Sequence, residues 1–231
     1  MKQSFRAGLL ALVAVAALSG PVAFAQDKAG DKPAAEKSGL DLPAFPAEKS
    51  VKQTTVLAGK TLAYTATVGA LPVRDEKGKK IAEVVYTAYT LDGPRDPKRP
   101  ITFAFNGGPG AASVYLNFAL GPKRVQFGAE GDSPSDFSKL DDNPASWLDF
   151  TDLVFIDPVG TGFSRSLVNE EETKKRFYGV KQDIDYLSRI VFDYLVKTDR
   201  LTSPKYLVGE SYAASAGRGW PTRCRRILAW R

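Results

Sequence analysis

Hydrophobic and polar positions divide this chain of 231 residues into stretches of different period. Residues 53–68 and 80–91 are rich in Thr, Val and Tyr and are separated by Gly, Pro and a charged turn, Arg74–Lys80, so they predict paired antiparallel strands. Two short apolar runs, Ile101–Phe105 and Thr151–Ile156, fit buried strands. The first ends in Asn106-Gly107-Gly108-Pro109-Gly110, the second in Asp157-Pro158 and the loop Gly160-Thr161-Gly162. Further on the period changes. Val180, Ile184, Leu187, Ile190, Val191, Tyr194 and Leu195 recur at three-to-four spacing and mark one amphipathic helix over about 178–197. Pro204 stops anything helical, and Tyr206–Val208 is a last short strand. An antiparallel β start followed by strands alternating with helices predicts an α/β fold whose later part is a parallel sheet with crossover helices.

The amino-terminal segment belongs to a different class. Residues 1–25 have a basic start (Lys2, Arg6), the apolar stretch Leu9–Leu18, a break at Gly20-Pro21 and the cleavage pattern Ala23-Phe24-Ala25, which together read as a secretory signal peptide. The apolar core is too short for a membrane anchor, and no later stretch is long enough to cross a bilayer, so the mature protein is expected to be exported, periplasmic or secreted, without a membrane partner. Residues 26–50 combine Lys, Ala, Pro and charge without a period and predict a flexible lead-in to a body spanning 51–212.

Composition matters chiefly through its distribution. The net charge is +6, but residues 213–231 carry Arg218, Arg223, Arg225, Arg226 and Arg231 with no acid, so the rest of the chain is nearly neutral. A nucleic-acid partner is therefore not expected. The same tail holds the single cysteine, Cys224, which makes no internal disulfide. Lys174-Lys175-Arg176 reads as a solvated helix start, and Asp183 and Asp185 as a polar helix face; with no histidine in the chain, neither a metal site nor a cofactor is expected.

Candidate chemistry lies at Gly209-Glu210-Ser211-Tyr212, immediately after the apolar Tyr206–Val208. A strand running into a sharp Gly-x-Ser turn presents a nucleophilic serine, and small residues two before and two after it let strand and helix approach. Gly209 and Ala213 fill those places. Asn106–Gly110 is a second candidate, a glycine-rich loop able to aim backbone N–H groups at a developing oxyanion. Either alone could be an ordinary turn; both stand, in order, at the carboxyl ends of predicted strands.

Three segments, FNGGPGAAS at 105–113, NPASWLDFTDLVFIDPVGTGFSRS at 143–166 and YLVGESY at 206–212, resemble the serine carboxypeptidase family over about residues 95–212. The resemblance implies the N-terminal part of an α/β-hydrolase fold and hydrolysis of a C-terminal peptide bond of a peptide substrate through an acyl-enzyme. It implies Ser211 as nucleophile, the backbone N–H groups of Gly108 and Tyr212 as oxyanion hole, and Asn106 with Glu210 as binders of the substrate carboxylate. Glu210 is then expected in protonated form, because two carboxylates in contact do not both stay charged cheaply.

Departures from the family accompany the match. The usual Trp two residues before the Asn is Ala104, and the acidic residue before Leu-Gly-Pro is Ala119, which leaves the carboxylate clamp incomplete. The triad order in this fold is Ser, Asp, His, and the residues after Ser211 contain none of Asp, Glu or His. Ser211 is thus expected to lack its base here, and the chain to be a truncated, inactive member. The tail, AASAGRGWPTRCRRILAWR, has Gly and Pro where a helix should follow, and a reading-frame shift at codon 213 is expected. A codon choice exists in which one restored G turns Ala213–Pro221 into Gly-Gly-Phe-Arg-Gly-Pro-Arg-Leu-Ala; the nucleotide sequence tests it. Truncation would also leave Tyr206–Val208 as an unprotected strand edge prone to aggregation. Two other readings stay open: another α/β-hydrolase such as an iminopeptidase or esterase, and a non-enzymatic exported protein binding an anionic surface through its basic tail.

Overall fold

The computed structural model describes residues 42–125 and 139–217. The signal peptide, most of the lead-in and residues 218–231 of the basic tail lie outside the described residues.

The chain begins as a meander of β1 (Lys49–Leu57), β2 (Lys60–Arg74) and β3 (Lys80–Leu91), paired antiparallel in sequence order. Residues 53–68, read above as one strand, contain a hairpin. Leu57 pairs with Lys60 across Ala58 and Gly59, both at positive φ (49° and 76°). A two-residue loop with both φ positive matches the twist of the flanking strands. Between β2 and β3 the Asp75 carboxylate accepts from Lys77 N and Lys79 N, at 3.0 and 2.9 Å, and holds the charged turn.

Next come β4 (Ile101–Phe105), α1 (Val114–Leu120), β5 (Lys123–Val125), β6 (Leu140–Asp142), β7 (Asp152–Ile156) and β8 (Arg165–Ser166). Helices α2 (Glu170–Phe177) and α3 (Val180–Lys197) lead to β9 (Lys205–Gly209) and α4 (Tyr212–Gly217). The main sheet has the order β1-β2-β3-β7-β4-β9, with β8 on β3, while β5 and β6 form a separate pair. β7 is antiparallel to β3; β4 runs parallel to both β7 and β9. Among the described residues β9 is an edge, with Tyr206 57% exposed.

β4 and β7 are buried along their whole length, as continuous apolar strands covered on both faces must be. Phe103 and Phe105 point to one face, where Tyr186, Leu187, Ile190, Val191 and Tyr194 of α3 meet them. Ala104 points to the other, among Tyr64, Leu148, Leu153 and Phe155. Full burial of each such large side chain is worth about 1.5–3 kcal/mol, so the two central parallel strands, β4 and β7, are the best-secured part of the chain.

Two expectations are corrected here. The end of the lead-in, residues 42–50, is docked on the body: Arg165 stacks 3.9 Å over the Phe45 ring, and Glu48 pairs with Lys197 at 2.5 Å. Lys174-Lys175-Arg176 lies in the last turn of α2, not at a helix start, with Lys174 paired to Glu170 and Arg176 to Glu172. Cations there complement the helix carbonyl end.

Candidate active site

β4, β7 and β9 all end on one side of the sheet, and their carboxyl ends deliver Asn106, Asp157 and Glu210-Ser211 to one place. Ser211 stands between β9 and α4 at φ 54°, a left-handed conformation that costs a non-glycine residue about 1–2 kcal/mol. The surroundings hold it there. Glu210 N donates to Phe105 O at 3.2 Å, Ala213 N to Glu210 O at 3.1 Å and Ala214 N to Ser211 O at 3.1 Å. A Cβ on Gly209 would stand 2.6 Å from the Ala213 carbonyl carbon, so only glycine lets strand and helix come this close. α4 forms over Tyr212–Gly217 and so takes in the first residues of the segment set apart as an atypical tail.

The glycine-rich loop presses on this turn. A Cβ on Gly107 would lie 2.8 Å from both Ser211 Cβ and Tyr212 N and would also strike Glu210 O. Gly108 adopts φ 117°, open to glycine alone, and its bond to Pro109 is cis. Asn106 is buried; its Nδ2 donates to Glu210 Oε2 at 2.6 Å and its Oδ1 accepts from Leu116 N at 3.0 Å. The five candidate residues are thus brought together: Asn106, Gly108, Glu210 and Ser211 line a cavity of about 560 Å³ with Tyr115 and Leu116. Asn106 and Tyr212 also line a neighbouring cleft of about 450 Å³ walled by Pro109, Pro158, Val159, Phe177 and Tyr178. Neither lining includes a Lys or Arg.

The two departures read in the sequence now have places. Ala104 is fully buried in the core on the far side from Phe103 and Phe105, and Ala119 is exposed at the end of α1. Neither adds a polar group to the clamp.

Several supporting residues went without a role in the sequence reading. Ser113 Oγ donates to Ile156 O at 2.5 Å and accepts from Asn106 N at 3.3 Å, and Ser113 N donates to Asp157 Oδ1 at 2.8 Å. Asp157 also accepts from Phe163 N, tying the loops after β4 and β7 together. Burial pushes its carboxyl up, against the pull of those two N–H groups. Asn143 Nδ2 donates to Ala119 O and Gly121 O, both at 2.9 Å, and so satisfies carbonyls left open at the end of α1. Asp183 is a correction. It is buried, 8% exposed, and accepts from the Tyr212 hydroxyl at 2.9 Å. The signal was present: Asp183 stands four before Leu187 and three before Tyr186, on the apolar stripe of α3. Asp185, by contrast, is on the outer side, paired with Lys181.

The serine carboxypeptidase family model matches residues 65–228. The chain belongs to the serine carboxypeptidase family. The match begins well before the segment read from motifs and continues into the basic tail. Serine carboxypeptidase-like 50 of Arabidopsis thaliana is 30% identical over 148 residues, covering 63% of this chain and 30% of that protein. The pheromone-processing carboxypeptidase KEX1 of Saccharomyces cerevisiae is 34% identical over 159 residues, covering 63% of this chain and 20% of that protein. The crystal structure of a prohormone-processing carboxypeptidase, KEX1(Δ)P from Saccharomyces cerevisiae, superposes with a TM-score of 0.57 at 27% identity, covering 72% of this chain and 35% of the other. The fold is a partial α/β-hydrolase, and the chain spans about a fifth to a third of the length of these relatives.

Proposed function

We propose that this chain carries the nucleophile half of a serine carboxypeptidase site acting on the C-terminal bond of peptides. The observation that carries the reading is Ser211, held at φ 54° at the end of β9 with the Gly107 backbone against it and Asn106 hydrogen-bonded to Glu210 beside it. In the reaction the Ser211 hydroxyl adds to the scissile carbonyl, the N–H groups of Gly108 and Tyr212 receive the oxyanion, and the amine leaves as the acyl-enzyme forms; water then releases the acid. Asn106 and Glu210 take the terminal carboxylate. Attack requires a base to take the serine proton, and the 231 residues contain no histidine. The base has to come from outside these residues, so the chain by itself binds but does not turn over. Export of the mature protein, through residues 1–25 as signal peptide, belongs to the same reading.

Two measurements test it. The purified chain should show no hydrolysis of an N-acyl dipeptide and no fluorophosphonate labelling above a Ser211→Ala control; turnover at an enzyme's rate overturns the missing-base reading. Calorimetric titration should show an N-acyl dipeptide binding more tightly than its C-terminal amide, with Asn106→Ala weakening the acid about tenfold. Equal binding of acid and amide overturns the carboxylate clamp.

A further inference from the structure

Helix α3 sends one carboxyl group toward the serine turn, and the contacts around it form a chain. Val159 N, in the loop after β7, donates to the Tyr186 hydroxyl at 3.1 Å. Asp183, beside Tyr186 on the buried side of α3, accepts at Oδ2 from the Tyr212 hydroxyl at 2.9 Å. The two side chains together tie α3 to the loop after β7 and to the residue that follows the nucleophile. All are walls of the cleft of about 450 Å³, whose lining includes Val159, Asp183 and Tyr212.

We propose that Asp183 is a positioning residue: by holding the Tyr212 side chain it fixes the direction of the Tyr212 backbone N–H, one of the two donors to the oxyanion. This rests on the assignment of Gly108 and Tyr212 made above. The physical need is plain. Tyr212 N sits against Gly107, where a single added Cβ would come within 2.8 Å of it, so a small rotation of the Tyr212 peptide changes the spacing of the two N–H groups. An oxyanion hole works through donors already aimed at the place where charge develops. A short side chain at this position would leave the peptide fixed only by α4, six residues long. Tyr212 instead carries a ring anchored by its far end to the longest helix of the fold. Asp183 suits the task because it accepts from the Tyr212 phenol and, among the described residues, is in no ion pair that could draw it away. Burial pushes its carboxyl up, with Tyr212 and Tyr186 pulling the other way, and the Tyr212 phenol is pushed up to about 12 by burial and by Asp183.

The test follows the N–H itself. In the chain labelled with ¹⁵N-tyrosine, nine signals are expected, and the Tyr212 signal is the one lost in Tyr212→Phe. Titration with N-acetylphenylalanine, whose carboxylate mimics the oxyanion, should move the Tyr212 N–H downfield. In Asp183→Ala that displacement should fall by more than half and affinity drop about fivefold, the range of one lost hydrogen bond; Asp183→Glu should restore part of both. Tyr212→Phe, which removes only the hydroxyl, should lower affinity about as much and guards against misfolding of the alanine variant. Unchanged displacement in Asp183→Ala, together with unchanged affinity in Asp183→Ala and Tyr212→Phe, overturns the proposal alone. No Tyr212 displacement in the parent chain overturns the oxyanion assignment and, with it, this inference.

Discussion

At the amino ends of β4 and β7 the buried carboxylate of Asp152 meets two guanidinium groups, Arg99 at 2.8 Å and Arg200 at 2.5 Å; at their carboxyl ends the half-buried Asp157 and the buried Asp183 meet backbone N–H groups and a phenol instead. The first end is an ion-pair cluster, one carboxylate between two cations. Arg99 also donates to Leu148 O at 2.6 Å, and Arg200 to Arg99 O at 3.0 Å, so the ion pairs close the sheet against its connections. The second end contains Ser211 and Gly108 at positive φ and, in the linings of both cavities, no cation. A buried carboxylate with two cations is a clamp. A carboxyl met by neutral donors fixes the position of those donors without bringing a cation into the lining near the serine.

The largest expected effect is at the clamp. Asp152→Ala removes a buried carboxylate from between two half-buried guanidinium groups and should cost about 3–5 kcal/mol in urea unfolding; a loss under about 1 kcal/mol would break the contrast. Gly107→Ala comes next. The added methyl has to displace the serine turn, for about 1–3 kcal/mol of stability together with loss of dipeptide binding, whereas unaltered binding would show that the turn is not held by the loop. Ser211→Gly should act in the opposite direction. Relief of the left-handed serine outweighs the extra chain entropy of glycine, for a gain of about 0.5–1 kcal/mol, and a loss instead would mean that Ser211 is not strained.

The smallest effect separates the two kinds of carboxyl by pH. Burial alone would raise Glu83, but the hydrogen bonds and charges of Lys80 and Arg165 bring it below its usual range. Its contribution to stability is therefore present above the unfolded value of about 4.3 and lost as pH falls through the folded one. Asp183 is raised, so its contribution is present below the unfolded value of about 3.9 and lost as pH rises through the folded one. Urea midpoints between pH 3 and 7 should lose part of the acid decline in Glu83→Gln and gain at neutral pH relative to acid in Asp183→Asn. Parallel profiles for the two variants would erase the distinction.

Much was determined by the sequence alone. Continuous apolar runs set β4, β7 and β9, a 3.6-residue stripe set α3, and the small residues around Ser211 and after Phe105 marked the turn and the loop, because these signals are local: they follow from what a few adjacent residues can bury or which backbone angles they can adopt. The absence of histidine is likewise a matter of composition. Tertiary structure decided the rest. That Ala58-Gly59 folds one predicted strand into two depends on pairing along β2, and that residues 42–50 are held depends on Arg165 and Lys197, far along the chain. The hydrogen bond from Asn106 to Glu210 joins residues 104 apart, and the reversal of Asp183 from surface to interior was settled by Tyr212 arriving at its hydroxyl distance from another element. Periodicity says which side of a helix faces inward, but only the packed neighbours say whether a carboxyl on that side finds donors there, because desolvating it is unfavourable until they are in place.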